Sequence, residues 1–165
     1  MKTLLLVRHA KSSHAEPTIS DHDRPLNQRG EKEAPQIGVH LAETDSAPDW
    51  ILSSTALRAR ETARHLAEAC GFTGTIDLRR ELYLATPDSI VRVLRSLPSE
   101  PQRVLLVAHN PGLESFLAEL TDGRHALPTS AVATVRLKLD DWSDFVPGTS
   151  GKVTSLWRPS EEVRG

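Results

Sequence analysis

Four apolar runs of strand character alternate with segments whose apolar residues recur at helical spacing. The runs are TLLLVR at Thr3–Arg8, DWILSS at Asp49–Ser54, the weaker TIDLRR at Thr75–Arg80 and RVLLVAH at Arg103–His109. Between the first two, Ala34, Ile37 and Leu41 mark a helical face from Gly30 to Glu43, where Pro35 is expected to kink the helix or lie in its first turn. After the second run, Ala59, Ala63, Leu66, Ala67 and Cys70 form one stripe, and Gly71 supplies the stop. Thr86 and Pro87 have the character of an N-cap and a first helical residue ahead of Ile90, Val93, Leu94 and Leu97. Asn110 and Pro111 open a last helix, with Leu113, Phe116, Leu117 and Leu120 inward and an end at Asp122-Gly123. Strands that are apolar throughout, rather than alternately, belong to a sheet covered on both faces. The expectation is a three-layer α/β/α sandwich around a mostly parallel sheet. The stretch SAVATVRLKL alternates with period two, and KVTSLW can pair with it across the turn PGTSG, adding an antiparallel edge.

The bulk properties narrow the partners. A chain of 165 residues without internal repeats fits a single domain over residues 1–165 with a core of its own. Its formal net charge of -2 provides no global basic field, so neither nucleic acid nor an anionic membrane is expected. No apolar run is long enough for a signal peptide or a membrane span, and a reducing cytoplasmic setting follows as the expectation. The one cysteine, Cys70, excludes an intrachain disulfide and a multi-cysteine zinc site, and its place on the helical stripe reads as a buried thiol.

In an open α/β sheet, ligands bind beyond the carboxyl ends of the strands. The first run ends in Arg8-His9, followed by Lys11, Ser12 and Ser13. The second ends in Ser53-Ser54, with Arg58 in the next helical turn. The fourth ends in His109-Asn110, directly before a helix N-terminus, where free N–H groups favour negative charge. Taken singly, each has an ordinary structural explanation. Together they bring two arginines and two histidines to one sheet edge, a set suited to a phosphoryl group. Arginines fork onto phosphoryl oxygens and neutralise developing charge. A neutral imidazole can attack phosphorus to give a covalent phosphohistidine. There is no Gly-x-x-x-x-Gly-Lys loop and no Cys-x5-Arg motif, and no carboxylate sits at metal-ligand spacing beside His9 or His109.

LLLVRHAKSS, SSTALRARETA and VLLVAHNPGL, in this order, resemble the motifs of the histidine phosphatase superfamily, with its phosphoglycerate mutase-like fold. That family has Arg-His-Gly where this chain has Arg8-His9-Ala10, as in its small bacterial branch. DRPLNQRG at Asp23–Gly30 and the short length also point to that branch, the SixA-like phosphohistidine phosphatases. The resemblance implies that His9 is the nucleophile, that Arg8, Arg58 and His109 complete a phosphate pocket, and that no metal or organic cofactor is needed. Ser12 and Asn110 are candidates for further hydrogen bonds to substrate. For the leaving-group acid, RRELYLA offers Glu81, which could equally be an exposed charge at a strand end. Asp21, His22 and Asp23 read as a solvated loop that could also reach the mouth of the site. Larger relatives roof the site with an insertion after the third strand. Here residues 82–102 are nearly used up by one helix, so the site is expected to be shallow and open. The expected activity is therefore a phosphatase acting on phosphohistidine of a protein, with a phosphatase or mutase for small phosphorylated metabolites as the alternative and a non-catalytic phosphate-binding module as the third possibility.

Overall fold

A six-stranded sheet runs in the order β3-β2-β4-β1-β5-β6 in the computed structural model, which describes residues 1–159. Strands β1 (Lys2–Arg8), β2 (Trp50–Ser54), β3 (Asp77–Arg79) and β4 (Arg103–Ala108) are parallel, with β1 and β4 in the middle. Strands β5 (Val132–Leu137) and β6 (Gly151–Trp157) close one side in antiparallel pairing. This is the α/β sandwich with an antiparallel edge that the sequence pattern implies.

Helices α1 (Gln28–Glu43) and α2 (Leu57–Cys70) cover one face, and α3 (Pro87–Arg95) and α4 (Gly112–Thr121) cover the other. The alternation of strand side chains divides the core between them. Leu5, Val7, Leu105 and Val107 point toward Ile37, Leu41, Ala63 and Leu66 of α1 and α2. Leu4, Leu6, Val104 and Leu106 point toward Ile90, Leu94, Leu113 and Leu117 of α3 and α4. All of these are fully buried, so both faces of β1 and β4 are dry.

Three expectations need adjustment. Helix α1 begins two residues before Gly30 and continues through Pro35, which is neither in the first turn nor a stop. Burial of Ala34, Ile37, Gly38 and Leu41 holds the helix together there, and Gly38 lies so close to α2 that a Cβ would stand 2.3 Å from the Leu66 carbonyl oxygen. The β5–β6 connection is longer than the PGTSG turn. It spans residues 138–150 and is anchored by buried Trp142, whose indole N–H donates to the Pro101 carbonyl at 2.7 Å. Cys70 is half-buried rather than buried, and burial raises its thiol pKa, which leaves it a poor nucleophile.

Candidate active site

Strand register brings the candidate residues together. Arg8 of β1 pairs with Ala108 of β4, so the next residues, His9 and His109, leave the sheet side by side, their ring centroids 5.1 Å apart. Ser53 of β2 pairs with Val107 on the other side of β4, which sets Ser54 against His109, and Ser54 Oγ stands 2.7 Å from His109 Nε2. Arg58, in the first turn of α2, reaches the same point and is only 3% exposed. Arg8, His9, Arg58 and His109 form the floor of a cleft of about 190 Å³, with Ser12 and Asn110 among its walls. Lys11, His14, Arg24, Leu84 and Thr129 complete its rim.

The polar atoms on this floor are incompletely used by the protein. Arg8 Nη1 donates to the Leu127 carbonyl at 3.2 Å, and Asn110 Nδ2 donates to the same oxygen at 2.9 Å. Arg58 gives Nη1 to the Asp21 carbonyl and Nη2 to the Asp21 carboxylate, at 2.6 and 3.1 Å. Among the described residues, Arg8 Nε, Arg58 Nε and His109 Nδ1 are buried without a hydrogen-bond partner. Buried polar groups are normally paired, so three such nitrogens around one cleft suit an anion with several acceptor oxygens.

Burial and neighbouring cations keep both imidazoles neutral. His9 is 7% exposed, and its pKa is lowered to about 4, by burial first and then by the charges of Arg58, Arg8 and Arg24. A hydrogen bond to the Ala10 carbonyl, 2.8 Å from Nδ1, opposes the shift. A carbonyl can only accept, so the ring proton sits on Nδ1 and Nε2 keeps its lone pair. His109 is lowered further, to about 3, by burial, His9 and Arg58, with Asp21 opposing. Burial also lowers the pKa of Arg8, against the opposing charge of Glu114.

The loop between β1 and α1 does more than a solvated loop would. Besides holding Arg58, the Asp21 carboxylate accepts from the Tyr83 hydroxyl at 2.5 Å and from Arg24 Nε at 3.2 Å. These donors, Tyr83 foremost, hold it well below the usual carboxylate range. Arg24 in turn donates to Ser12 Oγ at 2.7 Å, which leaves the Ser12 hydroxyl proton free to point elsewhere. Two glycines allow the close approaches. A Cβ on Gly30 would stand 2.1 Å from the Lys11 carbonyl oxygen, and one on Gly112 would stand 2.0 Å from that of Ala85. Gly112 thereby lets residues 83–86 lie against the start of α4, where the Tyr83 ring meets His109 edge-on at 5.5 Å.

Of the candidates read from the sequence, Arg8, His9, Ser12, Arg58, His109 and Asn110 all border the cleft. Glu81 does not. It is exposed on the single 3-10 turn after β3, and its charge acts on Arg79 rather than on either histidine. The three-residue strand β3 ends at Arg79, and the short link to α3 places Leu84 on the cleft and Tyr83 against the His109 ring. Thr62 and Ser54 carried no assigned role. Thr62 Oγ1 accepts from Ala10 N–H at 2.9 Å and donates to the Arg58 carbonyl at 2.7 Å, tying the end of β1 to α2. Its presence in the RARETA stretch, one helical turn after Arg58, was the available signal.

Comparison with known proteins agrees with this geometry. The family model for the histidine phosphatase superfamily (branch 1) matches residues 4–83. The Mycobacterium tuberculosis protein Rv1276c, which has no assigned activity, is 34% identical over 158 residues, covering 89% of this chain and 96% of its own. A Salmonella paratyphi C protein named "Probable phosphoglycerate mutase GpmB" is 35% identical over 142 residues, 80% of this chain and 64% of its own. Among solved structures, a candidate phosphohistidine phosphatase SixA from Agrobacterium tumefaciens superposes with a TM-score of 0.76 at 30% identity, covering 96% of this chain and 99% of that one. The protein histidine phosphatase SixA complexed with tungstate gives 0.80 at 24% identity, covering 94% and 96%, which bears on the fold alone. By sequence and by architecture, the chain belongs to the histidine phosphatase superfamily and is a SixA-like phosphatase.

Proposed function

We propose that the chain removes phosphoryl groups from phosphohistidine residues of other proteins, through a covalent intermediate on His9, in a cytoplasmic setting. The observation that carries this reading is that, among the described residues, no aspartate or glutamate lines the cleft. An alkyl phosphate expels an alkoxide, which needs a proton in the transition state. Glu81 lies outside the cleft, Asp21 is held ionised, and both histidines are neutral at pH 7. A phosphorylated imidazole needs no such donor, because it can depart with a proton of its own.

In this reading the His9 Nε2 lone pair forms a bond to phosphorus as the phosphorus–nitrogen bond of the substrate breaks, and the electron pair leaves with the substrate imidazole. Arg8 and Arg58 neutralise the phosphoryl oxygens, and His109, Ser12 and Asn110 donate to the transferring group. Water then attacks that phosphorus as its bond to His9 Nε2 breaks; the electron pair returns to Nε2, leaving His9 neutral, and a proton of the water passes to an oxygen of the phosphate released.

A second reading, hydrolysis or transfer on small phosphorylated metabolites, draws on the likeness to the Salmonella protein and on the cationic rim of Lys11 and Arg24. The test is turnover of a phosphohistidine protein beside sugar phosphates and a phosphoglycerate. The proposal expects kcat/KM on the protein to exceed that on any alkyl phosphate by about 100-fold or more. A small metabolite turned over near ~10⁵ M⁻¹s⁻¹, within the range of dedicated enzymes, gives the second reading the lead.

A further inference from the structure

His9 and His109 meet different kinds of partner. The Ala10 carbonyl beside His9 only accepts, whereas the Ser54 hydroxyl, 2.7 Å from His109 Nε2, can donate or accept. The surroundings of Ser54 decide which. Ser54 is fully buried, and its oxygen already accepts from the Ala56 N–H at 3.2 Å. Its hydroxyl proton needs an acceptor, and His109 Nε2 supplies one. Were His109 the donor, the serine proton and the lone pair on His109 Nδ1 would both be buried without partners, the more costly arrangement. Neighbouring Ser53 is no substitute, since its hydroxyl donates to the Ser54 carbonyl at 2.9 Å.

We propose that Ser54 is a positioning residue: its hydroxyl donates to His109 Nε2, places the ring proton on Nδ1 and so aims an N–H, rather than a lone pair, into the cleft. His109 Nδ1 is one of the three unpartnered buried nitrogens, with Arg8 Nε and Arg58 Nε. A lone pair there repels a phosphoryl oxygen, and an N–H adds a donor to those of the two arginines. The groups facing the ring are His9, Tyr83 and the charges of Arg58, Arg8 and Asp21. With burial they keep His109 neutral, so its tautomer is open to control by Ser54. Neutral imidazole in water favours the proton on Nε2, the form that would fail here. The two histidines therefore share one tautomer but present opposite sides, His9 its lone pair and His109 its N–H. The functional half of this inference rests on the reading of His109 as a donor to the phosphoryl group; the tautomer itself does not.

The experiment is long-range ¹H–¹⁵N NMR of histidine-labelled protein at pH 7, with inorganic phosphate and vanadate binding and kcat/KM measured alongside. Wild type should have His109 protonated on Nδ1. Ser54→Ala should move the proton toward Nε2 and weaken phosphate and vanadate binding and kcat/KM by about 10- to 100-fold, the value of one buried hydrogen bond. Ser54→Thr, which keeps the hydroxyl, should restore both. In a His109→Ala background, Ser54→Ala should add little, because the two act as one unit. The proposal is overturned if wild-type His109 carries its proton on Nε2, if Ser54→Ala leaves tautomer and phosphate affinity unchanged, or if it costs as much without His109 as with it. The wild-type NMR result requires neither a folded variant nor turnover, so its failure is separate from failure of the phosphatase reading.

Discussion

A histidine attacks phosphorus only while its Nε2 lone pair is free, and at His9 burial and three nearby arginines keep it free far into acid. Protonation at about 4, instead of the ordinary 6.5, predicts that kcat/KM stays nearly level from pH 7 to about 5 and then falls. An acid limb centred near 6.5 would refute the assignment. The same shift has a cost in stability. Between 6.5 and about 4 the unfolded chain takes up protons at His9 and His109 that the native state refuses. Stability is therefore full above 6.5 and falls as the pH drops through that window, and a His109→Gln variant should lose part of the slope in melts taken from pH 7.5 to 5. Replacing the proposed nucleophile, His9→Ala, should raise the barrier on the order of 4 kcal/mol or more, while exposed Arg60→Ala keeps near wild-type turnover. If His9→Ala retains a tenth of the rate, another group is the nucleophile. Arg8, His9 and His109 were legible in the sequence because they end or directly follow an apolar strand, and Arg58 because it sits in the first turn of the helix after one. Asp21 was not, because its carboxylate acquires a role only when Arg58, Tyr83 and Arg24, 37, 62 and 3 residues away, converge on it.

At the level of elements, strand ends deliver the chemistry and close backbone contacts hold them in place. Gly112 is the sharpest case, since any side chain there meets the Ala85 carbonyl at 2.0 Å. Gly112→Ala should push residues 83–86 away from α4, cost about 1–3 kcal/mol in stability as overpacking does, and lower turnover by displacing Tyr83 from His109. Thermal melts and kinetics on one sample check both parts; unchanged activity would mean that the position of Tyr83 does not matter. Thr62→Val tests the tie between β1 and α2, because it strands the buried Ala10 N–H, at about 1–3 kcal/mol. A variant as stable as wild type would mean that this N–H finds another acceptor. The major helices and strands were readable from apolar periodicity, since each buries a continuous face. Periodicity was silent on Pro35, whose helix persists through packing on α2, and it read the third strand only as a weaker six-residue run, because β3 keeps just three of those residues. The length of the β5–β6 link was hidden for a similar reason: its anchor, Trp142 on the Pro101 carbonyl, is a contact between distant parts of the chain.

For the whole molecule, the order β2-β4-β1 at the centre of the sheet places three parallel strand ends in a row, and all of the cleft's floor derives from them and the first turn of α2. In the proposed mechanism Arg8 and Arg58 hold the anion there, so turnover should survive EDTA and be blocked by vanadate; chelation that abolishes activity, with recovery on added zinc or magnesium, would instead place a metal in the reaction. No roofing segment intervenes between β3 and α3, where only residues 80–86 connect them. Selectivity must then come from the rim, and a rim can grip a protein more extensively than it can grip a small ester. Leu84 is the position where this can be read most cleanly. It borders the cleft, is 57% exposed, and holds φ at 50°, a left-handed conformation that is strained for a branched side chain and natural for glycine. An exposed apolar residue kept in a strained conformation at the mouth of a cleft implies that its side chain is retained for contact with substrate. Leu84→Gly should relieve the strain, leaving the melting temperature equal or higher. It should nevertheless lower kcat/KM on a phosphohistidine protein by more than it lowers that on p-nitrophenyl phosphate, so the ratio of the two falls. A ratio that stays constant, with stability unchanged, would remove Leu84 from the docking surface and move the search for selectivity to Lys11 and His14 of the β1–α1 loop.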